Sequence, residues 1–264
     1  LSLHDALPIW FRLPVAVKRL HPALAREPAT VRMFIDEGRL LSTLTHPGVV
    51  RVLDVGEAHG EVYVLLEYID GETLPALLRL AGGALPTAVA VGIARALGEA
   101  LHFVHTRPDG IVHRDVSPRN VMVTREGGVK LLDFGIARSA LRRTQTEAGA
   151  LRGTLAYMAP EQARGATVDA RADQFSLCVV LFELLTGSRL YGERSEVELL
   201  SLLAARDGPL AEVHLRLASV PASLAAVVER GLSRAPEARF ESMQALVDAL
   251  AGWESTAPPP AGPA

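Results

Sequence analysis

The spacing of the apolar residues changes character near residue 70, and this change limits the fold more than any other feature of the 264-residue chain. Before that point, short runs rich in β-branched residues predict strands, with a turn at residues 56–60, and apolar residues three and four apart predict a helix beginning near Glu27. The predicted strands are Val15–Lys18, Val49–Val55 and Glu61–Tyr68. After that point helical spacing dominates, so we predict an α+β fold with a small β-rich lobe, residues 11–68, and a larger α-helical lobe, residues 72–253.

The larger predicted lobe contains one helix that is apolar on nearly every side. Ala172–Thr186 carries Asp173 and Glu183 as its charged residues, and its composition predicts a buried helix. A long helix is expected to begin at Pro86 and to have an apolar face that includes Val89. The other predicted elements are helices at Glu196–Ala205, Leu224–Leu232 and Ser242–Trp253 and strands at Val121–Val123 and Val129–Leu132.

Charge and cysteine content exclude several classes of protein. Lys and Arg number 27 against 30 Asp and Glu, so a formal net charge of −3 gives no general electrostatic attraction for nucleic acid. A hydrophobic share of 49% is sufficient for a core. The single cysteine, Cys178, cannot form an internal disulfide, and the longest apolar stretch is shorter than the ~20 residues of a membrane span. We expect a cytoplasmic chain, and membrane anchoring of the full-length protein beyond a C-terminal linker is left open.

The two ends of the chain differ in composition from the segment between them. Residues 1–10 contain the run Leu-His-Asp-Ala-Leu-Pro-Ile, which we interpret as translated vector or adapter sequence. Residues 254–264 are rich in Pro and Ala and are predicted to form a linker. The predicted domain therefore occupies residues 11–253.

Two lysines, Lys18 and Lys130, stand among 27 basic residues, and the others are arginines. Because an ammonium and a guanidinium are not interchangeable at a binding site, a lysine inside a chemical motif of such a chain is a candidate site residue. Lys18 lies in a predicted strand, where alternation places it on the same face as Ala16. Lys130 belongs to no motif and is interpreted as a solvated strand residue.

Two short motifs in the larger lobe carry groups suited to phosphate and metal chemistry. The first is His113-Arg114-Asp115 followed by Asn120, and the second is Asp133-Phe134-Gly135. Carboxylate and amide oxygens are hard ligands that suit Mg²⁺, and a carboxylate near a hydroxyl can accept its proton. The alternative is that each motif is a surface loop with solvated acids. This alternative can explain either motif alone, but it explains less well why both occur in this order.

These motifs and several others resemble, in order, those of a bacterial-type protein serine/threonine kinase domain. The matching segments cover residues 15 to about 250 and are Val15-Ala16-Val17-Lys18, a helix with Glu37, Glu67-Tyr68-Ile69, His113-Arg114-Asp115 with Asn120, Asp133-Phe134-Gly135, Gly153-Thr154, Ala159-Pro160-Glu161, Asp173 and Arg239. An ordered set of this size is highly specific, unlike a lone glycine-rich match. The resemblance implies a bilobal protein-kinase-like fold, with an incomplete small lobe, that binds ATP with Mg²⁺ or Mn²⁺.

The resemblance also implies roles at the catalytic centre. Lys18, held by Glu37, would bridge the α- and β-phosphates of ATP. Asp133 and Asn120 would each hold a Mg²⁺ ion, and Asp115 would orient the substrate hydroxyl and accept its proton. The implied adenine pocket is lined by Ala16, Met122 and Leu66 and by the backbone of Glu67 and Ile69.

Four of the matching residues are expected to be structural. Phe134 and His113 need no chemical role and are expected to lie in the core. Asp173 and Arg239 are expected to stabilise the larger lobe, with Arg239 paired to Glu161.

The segment Gly153–Glu161 resembles the substrate-facing loop of protein serine/threonine kinases, which small-molecule kinases of the same fold generally lack. The resemblance implies protein substrates and places Thr154 near Asp115. Tyrosine specificity is disfavoured, because the loop after Asp115 lacks the Ala/Arg pattern of tyrosine kinases. We interpret Thr144 and Thr146 as autophosphorylation sites that would pair with the arginine of the first motif, through self-association of the chain.

Two departures from the family pattern affect the predicted activity. Ser117 stands where serine/threonine kinases usually carry a lysine that contacts the transferring phosphate. No glycine precedes Gly38, so the Gly-rich loop that covers the phosphates is missing, which we interpret as a truncated or misassembled reading frame. A catalytically impaired pseudokinase or scaffold is therefore the alternative to an active kinase, and a small-molecule phosphotransferase is a third hypothesis.

Overall fold

The computed structural model describes residues 13–20, 24–108, 110–134, 155–205 and 211–256. The backbone divides into two compact units. The first holds the described residues up to Thr45 and the segment Arg51–Ile69, and the second holds His46–Val50 and the described residues from Asp70 onward. The first unit is rich in strands and the second in helices, so the predicted α+β fold class is confirmed.

The first unit is a three-stranded antiparallel sheet with one helix packed on it. The strands are β1 (Val15–Arg19), β2 (Val52–Ala58) and β3 (Glu61–Glu67), in the spatial order β1-β3-β2. Helix α1 (Pro28–Ser42) begins directly after Glu27, with a proline at its first position as helices prefer. All the predicted elements of this unit are present, but β2 begins later than predicted and extends through residues that the sequence predicts as turn.

The turn between β2 and β3 is tighter than the predicted one. Ala58 pairs with Glu61, and the two connecting residues, His59 and Gly60, have φ values of 55° and 75°. Two consecutive left-handed residues are typical of a two-residue hairpin turn whose twist matches that of its strands. The predicted hairpin is therefore confirmed, but its turn is shorter than residues 56–60, because Gly56 lies inside β2.

Helix α1 approaches the sheet closely because one of its residues has no side chain. A Cβ atom added at Gly38 would lie 2.8 Å from Cγ2 of Val55 and 3.0 Å from Cγ2 of Val64. Any larger residue would push the helix away from the strands. Glu37, the neighbour of Gly38, is buried on the same helix, so the close approach also sets the position of its carboxylate.

The second unit combines a small sheet with a helical body. Its strands β4 (Gly71–Thr73), β5 (Val121–Thr124) and β6 (Val129–Leu131) form an antiparallel sheet in that order. Its helices are α2 (Leu74–Leu80), α3 (Thr87–His105), α4 (Pro160–Ala163), α5 (Arg171–Thr186), α6 (Glu196–Ala204), α7 (Ala211–Arg216), α8 (Ala222–Gly231) and α9 (Met243–Thr256). A 3-10 turn at Pro118–Asn120 leads into β5.

Helix α5 lies in the core of this body, as the sequence predicts. All its residues from Ala172 to Leu185 are buried except Glu183. Helices α3 and α8 pack against it, and α9 packs along α3. The helix ends at Gly187, whose φ of 66° lets its N–H donate to the Glu183 carbonyl at 2.8 Å. Because no side of α5 faces water, each of its polar side chains needs a partner within the protein.

Several boundaries and faces in the second unit differ from the prediction. Val89 is 49% exposed, because α3 turns small residues such as Ala90 and Gly98 toward the core instead. A Cβ atom added at Gly98 would lie 2.7 Å from Cγ2 of Val247 on α9, so that contact needs a glycine. The missed helices α2, α4 and α7 have seven residues or fewer, too few for a clear period. Helix α9 continues to Thr256, into the segment predicted as linker.

Among the described residues, one helix, α3, is long and apolar enough by length and composition to cross a membrane. In the second unit, however, it packs against α5 and α9, and half of its most apolar window is buried. A core helix meets the same criterion, so this feature is weak support for a membrane span.

Candidate active site

The strand lysine and the helix glutamate meet in the first unit, as the resemblance implies. Lys18 pairs with Val64 across β1 and β3, and its Nζ lies 3.9 Å from Oε1 of Glu37 on α1. The Glu37 side chain is 6% exposed and the Lys18 side chain is 34% exposed. Nζ also lies 6.0 Å from the centre of the Phe34 ring. A buried carboxylate thus holds an ammonium that still faces solvent in part, which suits the binding of phosphate.

The first unit also carries most of the residues implied to surround adenine. Ala16 pairs with Leu66 across β1 and β3, and Ile69 follows the end of β3. The N–H of Glu67 donates to the carbonyl of Arg51 at 2.9 Å. Because this N–H is already hydrogen-bonded within the protein, the Glu67 carbonyl is the group that remains to bind the edge of the adenine base.

The remaining adenine residue, Met122, belongs to the second unit. It lies on β5 and pairs with Lys130 on β6. Lys130 is half-buried, and its predicted place in a strand is confirmed. Burial lowers the pKa of His46, Glu99 opposes this shift, and the charge of Lys130 adds to it. These contacts do not assign a catalytic role to Lys130.

Asp115 and Asn120 are joined directly in the second unit. The Asn120 side-chain amide donates to the Asp115 carbonyl at 2.8 Å and to its carboxylate Oδ2 at 3.0 Å. The N–H of Asn120 donates to the carbonyl of Ser117 at 3.0 Å, and this turn brings Asn120 back to Asp115. Asp115 is 4% exposed. The result is a carboxylate held in one orientation, as a general base requires.

A fully buried carboxylate on α5 holds the backbone of this loop. Asp173 accepts a hydrogen bond from the N–H of His113 and another from the N–H of Arg114, both at 2.8 Å. Arg114 has a φ of 65°, a left-handed conformation that costs a non-glycine residue about 1–2 kcal/mol. Hydrogen bonds to a carboxylate offset this cost and so position Asp115, the next residue. The expected structural role of Asp173 is confirmed in this contact.

Sequence reasoning missed a third partner of this carboxylate. Nε2 of His105, the last residue of α3, lies 2.7 Å from Oδ2 of Asp173, and the His105 side chain is 7% exposed. Burial opposes ionisation of Asp173, but its hydrogen bond with His105 and its electrostatic interactions with His105 and His113 hold its pKa below the usual value. No local pattern predicts that a histidine at the end of one helix meets an acid on another.

The residues on either side of Asp133 contact the loop that carries Asp115. The N–H of Leu132 donates to the Asn120 carbonyl at 2.8 Å, and the rings of His113 and Phe134 lie 4.5 Å apart between centroids. Burial lowers the pKa of His113, although nearby carboxylates oppose the shift, so its ring is neutral at pH 7 and serves in packing. The two motifs therefore meet in space, and the expectation that His113 and Phe134 lie in the core is confirmed.

The oxygen donors at this junction fit a metal shared with phosphate. Within the described residues, no group of three His, Cys, Asp or Glu side chains is placed to hold a metal ion. The amide nitrogen of Asn120 is bound to Asp115, which leaves its oxygen as the acceptor for a cation. One amide oxygen and the Asp133 carboxylate suit Mg²⁺, which keeps waters and takes phosphate oxygens as its other ligands.

The described end of the predicted substrate-facing loop is attached to α5. The hydroxyl of Tyr157 donates to the Glu183 carboxylate, and the hydroxyl of Ser176 donates to the Tyr157 carbonyl at 2.7 Å. Burial raises the pKa of Tyr157 and Glu183 adds to the rise, while the charges of Arg189 and Arg119 oppose it. The loop thus ends on the rigid core helix.

A further hydrogen bond joins this region to the catalytic loop. Nε2 of Gln162 donates to the carbonyl of Arg114 at 3.1 Å. Thr154, which the sequence places near Asp115, lies outside the described residues, as do Thr144 and Thr146. Their roles therefore stay predictions.

Glu161 and Arg239 form the expected ion pair. Two parallel hydrogen bonds of 2.7 and 2.8 Å join them, and their side chains are 5% and 0% exposed. Arg239 also donates to the carbonyls of Ser233 and Arg171, each at 2.8 Å. The pair therefore ties the end of the substrate-facing loop to the start of α5.

The fold and the order of these contacts define a class of proteins, the protein kinases, and comparison with known families agrees. Residues 9–250 match the protein kinase domain family. The chain belongs to this family.

Curated relatives carry two different names. The chain is 39% identical over 251 residues to the tyrosine-protein kinase MasK of Myxococcus xanthus, which covers 91% of this chain and 38% of that protein. It is 37% identical over 265 residues to the serine/threonine-protein kinase PknB of Mycobacterium leprae, which covers 98% of this chain and 42% of that protein. The chain spans about two fifths of the length of these relatives.

Solved structures agree with the fold. The crystal structure of the Mycobacterium tuberculosis PknI kinase domain is similar with a TM-score of 0.68 and 29% sequence identity. The match covers 90% of this chain and 85% of that one. The predicted protein-kinase-like fold class is therefore confirmed.

Proposed function

We propose that this chain is the catalytic domain of an ATP-dependent protein serine/threonine kinase that acts in signalling. It would transfer the γ-phosphate of ATP to Ser or Thr hydroxyls of proteins. The observation that supports this proposal best is the buried Asp115 carboxylate, which Asn120 orients and whose loop Asp173 holds. Serine/threonine kinases similar over nearly the whole chain support it further.

In the proposed reaction, the residues position groups and neutralise charge. Asp115 accepts the proton of the substrate hydroxyl as that oxygen bonds to the γ-phosphorus, and the electron pair of the broken P–O bond stays on ADP. Lys18, held by Glu37, binds the α- and β-phosphates. Asp133 and the oxygen of Asn120 hold Mg²⁺, with Mn²⁺ as an alternative. When bound, the metal neutralises negative charge on the phosphates.

The proposal extends to the adenine ring of ATP. Ala16 and Met122 are proposed to lie against its two faces, with Leu66 at the back of the pocket. The backbone of Glu67 and Ile69 is proposed to bind the edge of the base. The Glu67 N–H is already bound to the protein, so the proposed bond at that residue is to its carbonyl.

The experiment is a transfer assay with labelled ATP, Mg²⁺ and a generic protein substrate. The Asp115→Asn variant is expected to lose about 10²–10⁴-fold in turnover, because it removes the proton acceptor but keeps the size of the side chain. A second chain, extended at its N-terminus by a Gly-rich hairpin, is assayed alongside. Transfer that is found only in the extended chain, and is lost on Asp115→Asn, would support the interpretation that a phosphate-covering hairpin is missing.

A pseudokinase or scaffold is the second candidate, and one feature of the sequence favours it. Ser117 stands where serine/threonine kinases usually carry a lysine. Under this hypothesis both chains bind nucleotide in a calorimetric titration, yet neither transfers phosphate. That result would contradict the kinase proposal.

The acceptor residue is tested separately, because one relative is named a tyrosine kinase. Three peptides that differ only in carrying Ser, Thr or Tyr at one position are offered in equal amounts. We expect phosphorylation of the Ser and Thr peptides. Phosphorylation of the Tyr peptide alone would show that the proposed specificity is wrong.

We further propose that Thr144 and Thr146 are autophosphorylated in transient self-associated pairs, and that the chain acts in the cytoplasm. Arg114 is exposed and is the proposed partner of the added phosphate. Mass spectrometry after incubation with ATP tests the sites, and unmodified Thr144 and Thr146 in an active sample would contradict the proposal. Fractionation of cells tests the location, including membrane anchoring of the full-length protein.

A further inference from the structure

The peptide bond that precedes Asp115 is held at both of its polar atoms. Its carbonyl, which belongs to Arg114, accepts a hydrogen bond from Nε2 of Gln162 at 3.1 Å. Its N–H, which belongs to Asp115, donates to Nδ1 of His113 at 3.2 Å. Because a peptide unit is planar, these two bonds fix the orientation of the plane that leads into Asp115.

This peptide needs support because the residue before it is strained. Arg114 has a φ of 65°, which is unfavourable for a residue with a side chain. Asp173 holds one side of Arg114, at its N–H, with a hydrogen bond of 2.8 Å. Gln162 holds the other side, at its carbonyl. Removal of the Gln162 bond therefore frees the side of the strained residue that leads into Asp115.

Gln162 itself stands on a fixed support. It belongs to the short helix α4, and its Oε1 accepts the N–H of Ala159, directly before that helix, at 3.1 Å. The neighbouring Glu161 is held by its buried ion pair with Arg239. One side-chain amide thus joins the described end of the substrate-facing loop to the loop of Asp115.

The two partners of Gln162 require opposite groups. The N–H of Ala159 needs an acceptor and the carbonyl of Arg114 needs a donor, and a glutamine amide supplies both. An ionised carboxylate of the same size would keep the acceptor and lose the donor, and a methionine side chain would supply neither in useful strength. The residue type at this position is therefore matched to a bridge between two loops.

We propose that Gln162 is a positioning residue that fixes the peptide preceding Asp115 and so aims its carboxylate at the substrate hydroxyl. The proposal rests on the proposed kinase function. Gln162 acts through Arg114 and is not proposed to touch the nucleotide or the substrate. A displacement of about 1 Å at a reacting group can cost on the order of 10²-fold in rate, so one hydrogen bond behind the base is sufficient to affect turnover.

Two substitutions separate the two bonds of this amide. Gln162→Glu keeps an acceptor for the Ala159 N–H but removes the donor to Arg114, whereas Gln162→Met removes both bonds. Gln244→Met is the matched control, because Gln244 on α9 is also half-buried and its amide donates to Asp248 at 2.8 Å. Thermal melting of each variant confirms that it is folded.

The first readout is steady-state transfer to an uncharged Ser/Thr peptide. Both Gln162 variants are expected to lose about 10- to 100-fold in kcat, with the KM for ATP within about two-fold of the unchanged chain. Gln162→Met is also expected to raise the KM for the peptide, because Ala159 loses its partner, whereas Gln162→Glu should leave that KM unchanged. Gln244→Met should match the unchanged chain in every constant.

The second readout is hydrogen exchange of single amides by NMR, which does not depend on activity. In both Gln162 variants the Asp115 N–H is expected to exchange about ten-fold faster or more, because its peptide can rotate away from His113. The Ala159 N–H should exchange faster in Gln162→Met but not in Gln162→Glu. Amides in the core of α5, such as that of Leu181, should keep their rates in every variant.

Three results would overturn the proposal. Unchanged kcat and unchanged exchange at Asp115 would show that Gln162 positions nothing, while the kinase function stands. A fall in kcat without faster exchange at Asp115 would show that the residue acts by another route. Faster exchange throughout α5 would assign Gln162 a role in folding instead. If the unchanged chain transfers no phosphate, the proposed function fails, and exchange at Asp115 decides whether Gln162 holds the peptide.

Discussion

Two Arg–Glu pairs among the described residues, one in each unit, differ in burial rather than in length. In the first unit Arg19 lies 2.9 Å from Glu61, with side chains 65% and 51% exposed. In the second unit Arg239 lies 2.7 Å from Glu161, with side chains 0% and 5% exposed. Exposed pairs contribute little to stability, whereas removing one partner of a buried pair strands a charge in the core. The N–O distance alone therefore does not show which pair contributes more to stability.

The same contrast is found between two contacts of proposed site residues, one contact in each unit. In the first unit, Lys18 and Glu37 are 3.9 Å apart and the lysine is about one third exposed. In the second unit, the catalytic loop is bound to the fully buried Asp173 by two backbone hydrogen bonds of 2.8 Å. We infer that the second unit pre-organises its proposed catalytic groups through burial, whereas the first unit holds the lysine proposed to bind phosphate by a looser contact.

The largest effect is expected on breaking the buried pair. Arg239→Met leaves the Glu161 carboxylate in the core without its bidentate partner and is expected to lower the free energy of unfolding by about 3–5 kcal/mol. Urea unfolding followed by circular dichroism measures it. A loss below about 1 kcal/mol would contradict the comparison. The double variant Arg239→Met with Glu161→Met is expected to recover part of the loss, because it also removes the stranded charge.

The next largest effect is expected at the anchor of the catalytic loop. Asp173→Asn keeps the shape of the side chain but weakens its bonds to His113, Arg114 and His105, and is expected to cost about 2–3 kcal/mol of unfolding free energy. It should also lower turnover, because Asp115 follows the strained Arg114. Asp248→Asn, at an exposed position on α9, is the matched control and should change stability by less than about 0.5 kcal/mol. Equal effects of the two substitutions would show that the anchor is unimportant.

A smaller effect is expected in the pH dependence of stability. The pKa of His113 is lowered by burial, so the unfolded chain binds a proton that the folded chain does not as pH falls below about 6.5. Stability from this group is therefore present above that pH and lost below it, at up to about 1.4 kcal/mol per pH unit. Urea unfolding between pH 7 and 5 should show this slope, and His113→Phe should flatten it. An unchanged slope in the variant would assign the titration to another group.

A further loss of stability is expected at lower pH from Asp173, because its pKa in the folded chain is depressed. Its contribution is fully present above the unfolded value near 4 and disappears as pH falls through the folded pKa. The Asp173→Asn variant should lack this second transition, which separates it from the histidine effect.

In the first unit, Glu37→Gln is expected to affect activity more than stability. The substitution removes the charge that holds Lys18, so turnover is expected to fall about 10-fold, while the free energy of unfolding changes by less than about 1 kcal/mol because the lysine is partly solvated. Steady-state kinetics and urea unfolding measure the two effects. A stability loss as large as that of Asp173→Asn would contradict the proposed difference between the units.

The smallest effect is expected at the exposed pair. Arg19→Met, the same substitution as in the buried pair, should change the free energy of unfolding by about 0–1 kcal/mol, and less at high salt. If this variant and Arg239→Met had equal effects, burial would not be the quantity that separates the pairs.

Much of the candidate site could be predicted because its chemistry depends on residue types in a fixed order. The pairing of Lys18 with Glu37, the meeting of the two motifs and the Glu161–Arg239 pair are all confirmed. The predictions were wrong where the spacing of apolar residues was weak or misleading. The apolar face predicted for α3 includes Val89, which is exposed, because the buried face of this helix also contains small residues such as Ala90. The role of His105 has no local signal at all.

The amino-acid sequence by itself determined the α+β class, the central apolar helix and the identity of the chemical groups, because hydrophobic period and motif order are written along the chain. Only the tertiary structure decided that Arg114 is left-handed, that His105 shares the carboxylate of Asp173, and that Gly38 lets α1 approach the sheet. These features depend on burial and on contacts between residues far apart in the chain. Burial also decides what each charge contributes, and it belongs to the folded molecule rather than to any residue type.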